Sequence, residues 1–155
     1  MLCAGKKEKG NHYAAMQRAP GTTARKKSPT AKGGTLPLLL PKKILVWVYS
    51  RYKQWEGRSV RSCMRLMGRL PEVGDRVSMC AGSGRHGIVY CSIEEVRVVK
   101  KAKEVVNRDN WRLFVPWVKN ASEALDVYDA FDDDKSGLVF MKLSSIERSE
   151  NIGCK

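Results

Sequence analysis

The stretch Val73-Gly-Asp-Arg-Val-Ser-Met-Cys-Ala-Gly-Ser-Gly-Arg-His-Gly-Ile-Val-Tyr-Cys91 decides the fold class. Val77 and Met79 alternate with polar neighbours, the period of a half-buried strand. Gly82, Ser83 and Gly84 supply a tight turn, and Gly87, Val89 and Cys91 read as the returning strand. The pattern predicts a β-hairpin with glycines where positive φ or close backbone approach is needed. Beyond it, Ser92-Ile-Glu-Glu95 has capping-box spacing, and Val96, Val99, Ala102 and Val106 continue at helical spacing. The alternative, which we favour, extends the hairpin strand to about Val99.

Two further stretches read as strands. Trp111-Arg-Leu-Phe-Val-Pro-Trp-Val118 is rich in aromatic and β-branched residues, with Pro116 placing it at an edge or bulge. Gly137-Leu-Val-Phe-Met-Lys-Leu143 is the second, and with Ser144–Arg148 after it resembles the last strand and short helical turn of SH3-like barrels.

Upstream of the hairpin, Pro71 closes a predicted amphipathic helix over 58–70. Val60, Cys63, Met64 and Met67 share one side, and Arg58, Arg61, Arg65 and Arg69 the other. Four arginines without an interspersed acid favour a phosphate-binding face over a merely solvated one, since the guanidinium fork can make two hydrogen bonds at once. Ile44-Leu-Val-Trp-Val-Tyr49 is a buried strand or the start of a buried helix, and so short a run does not decide between them. It is also far shorter than the roughly 20 residues of a membrane span.

Charge is strongly segregated. Of the net +13 carried by 155 residues, residues 1–70 hold 16 basic and 2 acidic side chains, and residues 71–155 hold 13 and 14. A one-signed field of this kind attracts polyanions. Residues 1–36 have one acid, Glu8, among Lys6, Lys7, Lys9, Arg18, Arg25, Lys26, Lys27 and Lys32. With little apolar content they read as a disordered basic arm that orders on phosphate, or as an organelle transit peptide. The five cysteines are scattered without a CxxC pair, as in a reduced intracellular protein.

The residues Gly74-Asp75, Val77, Ala81-Gly82 and Gly84-Arg85-His86-Gly87-Ile88-Val89 resemble the KOW motif, over about 20 residues. That motif opens SH3-like β-barrels in ribosomal large-subunit proteins and transcription elongation factors. The turn here is shortened and lacks the usual lysines. The resemblance implies an SH3-like barrel over 71–150, with Arg85 and His86 at the loop tip against nucleic acid. Separately, Glu123–Val139 resembles the first helix and loop of a centrin-like EF-hand, with Asp132, Asp134 and Ser136 at loop positions 1, 3 and 5. Leu143 stands where the bidentate Glu belongs, which implies poor calcium affinity or a simple acidic turn.

The expectation is a mainly β chain with a helical N-terminal extension: a disordered arm (1–36), a basic amphipathic helical segment (37–70) and a small SH3-like barrel (71–150). The expected function is structural RNA binding in a ribonucleoprotein, best a ribosome, cytoplasmic or mitochondrial, with ribosomal RNA and neighbouring proteins as partners. Phosphate contacts fall to Lys26, Lys27, Lys42, Lys43, Arg58, Arg61, Arg65, Arg69 and Arg85, with Lys6, Lys7 and Arg25 in the arm. The alternatives are an EF-hand-like protein and a module gripping an acidic protein surface such as a microtubule. No enzyme chemistry, cofactor or metal is expected. His12 and His86 lie in no nucleophile or metal pattern, and the glycine-rich turn lacks the Gly-Lys-Ser/Thr of a phosphate loop.

Overall fold

A computed structural model describes residues 34–82, 87–132 and 135–148. Five strands form one curled sheet: β1 (Thr35–Leu39), β2 (Trp55–Ser59), β3 (Arg76–Cys80), β4 (Ile88–Val99) and β5 (Leu138–Arg148). The order across the sheet is β1-β3-β4-β5-β2. β1 runs parallel to β3, and every other pairing is antiparallel.

The expected hairpin is present. Val77 pairs with Cys91 and Met79 with Val89, and the return strand ends at Val99, so the strand reading of 92–99 holds over the helical one. Its alternation carries through to burial: Val77, Met79, Val89, Cys91 and Ile93 are all inside. β5 pairs with β4 through two irregularities, and Ser145 adopts φ 50° beside them. Residues 144–148 therefore continue the strand, and the short helical turn expected there does not form.

Among the described residues, four α-helices decorate the sheet. α1 (Lys42–Tyr49) packs Ile44, Leu45 and Val48 towards β3 and β5, which decides the ambiguous 44–49 run as helix. α2 (Val60–Met67) is shorter than the 58–70 expected, because its ends are set by caps. The Ser59 hydroxyl accepts from Ser62 N–H, and Gly68 closes the helix at φ 72°, ahead of Pro71. α2 buries Cys63 and Met67 as expected, whereas Met64 is exposed.

α3 (Trp111–Phe114) is a correction, since this stretch was expected as a strand. The cause lies just upstream, where the Asn107 side chain accepts from Asp109 N–H and Asn110 N–H, and Asn110 accepts in return from Asn107 N–H. This local side-chain network winds the backbone into a turn before the aromatic run begins. The aromatic content is used for packing instead: Phe114 stacks on Trp55 at 5.3 Å and meets Phe140 edge-on at 5.5 Å. α4 (Ala121–Asp129) adds Tyr128, 4.8 Å from Phe140.

The helix of the expected EF-hand is thus real, but the loop after it leads into a strand. The Asp132 carboxylate accepts from Gly137 N–H, the Ser136 hydroxyl accepts from Arg61 N–H, and Leu138 enters the sheet. Both described residues of the calcium constellation serve the turn, and Asp134 lies outside the described residues.

The partition at residue 70 is not how the sheet is assembled. β1 and β2 come from residues 35–59, β1 lying beside β3 and β2 beside β5. The mainly β statement stands, but an SH3-like barrel made from 71–150 alone does not. A short hairpin motif reports two strands and is silent about which distant strands flank them.

Candidate functional site

β2 carries the most unusual chemistry in the molecule. Lys53, Glu56 and Arg58 are a cation, an anion and a cation within six residues, and all three are buried, Arg58 at 2% exposure. Glu56 and Arg58 are two apart on a strand, so they share a face. The Lys53 ammonium reaches them from the turn before β2.

The geometry is dense. Lys53 Nζ donates to Trp55 O at 2.7 Å and to Phe114 O at 2.6 Å, and lies 3.2 Å from Glu56 Oε2. Two of its three donors are thereby used on carbonyls and its charge is paired with Glu56, and it sits 5.5 Å from the centre of the Trp117 ring. Arg58 Nε donates to Glu56 Oε1 at 2.9 Å. Arg58 Nη2 is buried and has no hydrogen-bond acceptor among the described residues. The backbone between them admits no side chain, since a Cβ on Gly57 would lie 2.5 Å from Tyr128 Cε1 and 2.8 Å from Phe140 Cε1.

The electrostatics follow from burial. Desolvation pushes Lys53 below its ordinary value, Glu56 opposes that, and Arg58 adds to it. The same dry surroundings push the Cys63 and Cys91 thiols up to about 12 and Tyr128 well above its usual range. Cys63 and Tyr128 feel the charges of both Glu56 and Arg58, so the cluster is held between α2 and α4. Chemically it is a preorganised unit of two cations and one anion with one buried guanidinium donor left unsatisfied.

The expected phosphate-binding residues divide three ways. Lys42, Lys43, Arg61 and Arg65 are exposed on α1 and α2. Arg58 and Arg69 are not on the helix with them. Arg58 is internal, and Arg69 lies past Gly68, where both Nη atoms bond the buried Asp75 carboxylate at 2.7 and 2.9 Å. The helical period held, but β2 and the Gly68 cap cut its arginine row at both ends. Lys26, Lys27, Arg85 and the arm's Lys6, Lys7 and Arg25 lie outside the described residues. Sequence reasoning missed Lys53 and Glu56. The available signal was that Glu56 is the sole acid between Glu8 and Glu72, set between two cations.

Neither a protein-family model nor a curated protein matches the sequence. Solved structures do match in shape. The hypothetical protein PH0355 aligns over 75% of this chain and 99% of its own, at TM-score 0.55 and 22% identity. ASCH from Zymomonas mobilis aligns over 74% of this chain and 69% of its own, at TM-score 0.52 and 12% identity. Protein PF0455 from Pyrococcus furiosus aligns over 76% and 99%, at TM-score 0.50 and 22% identity. The chain shares the fold of these structures, ASCH from Zymomonas mobilis among them: a curled, five-stranded half-barrel sheet with helices. This ASCH-like half-barrel replaces both expected resemblances, KOW and EF-hand, and the ribosomal assignment that rested on the first. The KOW-like residues mark a glycine-bounded hairpin, a feature that many sheets share.

Proposed function

We propose that this ASCH-like protein binds RNA through the cations displayed by its N-terminal half. One observation carries the reading. In residues 34–70 the sole acid, Glu56, is buried against Lys53 and Arg58, while Lys42, Lys43, Arg51, Arg61 and Arg65 are all exposed. No acidic side chain of this segment reaches the surface to offset them, so its outward field is cationic and suits a phosphate backbone. Arg69 is excluded from this role because its fork is taken by Asp75.

The test is equilibrium binding of structured RNA, and of polyglutamate of matched charge, across a salt series. RNA binding that weakens steeply with salt, and more shallowly once Arg61 and Arg65 are replaced by Gln, supports the proposal. Equal affinity for polyglutamate moves the reading to an acidic protein partner.

A further inference from the structure

α1 has a composition that its packing does not explain. Six of its eight residues, Ile44-Leu-Val-Trp-Val-Tyr49, are apolar or aromatic, yet only Ile44, Leu45 and Val48 are buried. An all-round apolar helix belongs inside a protein, or against something. Here Val46 is 56% exposed, Tyr49 48% and, in the turn that follows, Tyr52 64%. Trp47 is half-buried and meets the Tyr52 ring edge-on at 5.6 Å.

The charges around these rings are of one sign along the chain. Lys42 and Lys43 open α1, Arg51 follows it, and no acid occurs between Glu8 and Glu56. From the sheet, Arg148 brings its guanidinium 5.6 Å from the centre of the Tyr49 ring. The acid beside it in sequence, Glu147, lies 3.9 Å from Arg76.

Arg51 adds an independent sign. It adopts φ 63° at the end of α1, where its N–H bonds Val48 O and the chain turns to bring Lys53 N–H onto Trp47 O. Left-handed backbone at a helix terminus is the place for glycine, and a long cationic side chain there is strained. The strain is explained if the exposed guanidinium is used.

Aromatic faces set among cations, without acids, are how proteins hold single-stranded nucleic acid. Unpaired bases stack on the rings while Lys and Arg follow the phosphates. A duplex hides its base faces and offers only phosphates to such a surface. We infer that the outer side of α1 and the turn after it, centred on Tyr49 and Tyr52, form a platform for unpaired RNA bases, with Lys42, Lys43 and Arg51 on the adjoining phosphates. This rests on the RNA-binding reading above and narrows it to single strands.

The test compares a short oligouridine with an RNA duplex of equal charge, using the full chain. Tyr52→Ala is expected to weaken oligouridine binding about 5- to 100-fold, the range for losing one stacked base. Duplex binding stays within twofold, and Tyr52→Phe restores oligouridine binding. In the native protein, oligouridine is expected to quench tryptophan emission through the Trp47–Tyr52 pair. Because Tyr52 is largely exposed, its variants should unfold at the native urea midpoint. Arg51→Gly serves as a second variant, expected to be at least as stable as the native chain yet to bind oligouridine more weakly, with a salt slope smaller by about one.

Unchanged oligouridine affinity in Tyr52→Ala, or equal losses on strand and duplex, overturns the platform while leaving RNA binding intact. Failure of the native chain to bind either RNA overturns the broader reading as well. Polyglutamate binding that depends on Tyr52 and matches oligouridine in strength overturns the choice of RNA as occupant.

Discussion

Replacing Glu56 by Gln should be among the most damaging isosteric changes possible in this protein. The carboxylate is buried between Lys53, 3.2 Å from one oxygen, and Arg58, 2.9 Å from the other. Gln keeps the shape and removes the charge, leaving two cations buried beside each other. Removing one partner of a buried ionic cluster costs about 3–5 kcal/mol, against a total stability of about 5–15 kcal/mol for a domain. At about 4 °C per kcal/mol for a domain of this size, the melting midpoint should fall by about 12–20 °C.

The pH dependence separates this account from a simple packing defect. Lys53 titrates below 10.5 when folded and near 10.5 when unfolded, so between those values the unfolded chain binds more protons. Stability therefore rises with pH through that window and levels off above 10.5. Without Glu56 the opposing charge is lost and Arg58 still repels, so the folded value drops further and the rising window opens at lower pH. Urea unfolding at intervals from neutral pH to pH 10 measures both effects. A loss below about 1 kcal/mol, with the native pH slope, would refute the buried cluster.

Gly57→Ala should destabilise by at least about 1–3 kcal/mol, because the new methyl meets the Tyr128 and Phe140 rings inside normal contact distance and neither ring is at a free end. Urea midpoints at constant slope measure it. Arg69→Gln should cost about 1–3 kcal/mol by stripping the buried Asp75 carboxylate of its two guanidinium bonds. It should leave the salt slope of RNA binding untouched, the reverse of what the exposed pair Arg61 and Arg65 should do.

Much of the sheet was legible because its signals are local. Alternation over 77–79 and 89–93, with glycine between, specifies a hairpin and its register wherever it is placed. Likewise 138–143 declares a strand by composition, whereas the caps Ser59 and Gly68 that shorten α2 from the 58–70 expected went unread. Trp111–Phe114 was misread because β-propensity reflects a packing environment, and here the asparagine turn before it settled the backbone. The KOW likeness failed for a related reason. About 20 residues describe a hairpin, while the identity of a half-barrel lies in its remote pairings, such as Thr35 with Arg76 and Trp55 with Lys142.

By itself, then, the sequence determined a mainly β chain, a hairpin ending near Val99 and a cationic N-terminal half. These follow from period, turn chemistry and charge count, which are properties of neighbouring residues. The tertiary structure alone decided which charges face water. It set Arg58 inside and Arg61 outside, three residues apart in one arginine series, and it gathered Lys53, Glu56, Arg58 and Phe114 into one set of hydrogen bonds and ion pairs. Burial depends on what distant segments cover, and the desolvation that makes Lys53, Glu56 and Arg58 unusual exists only once those segments have closed over them.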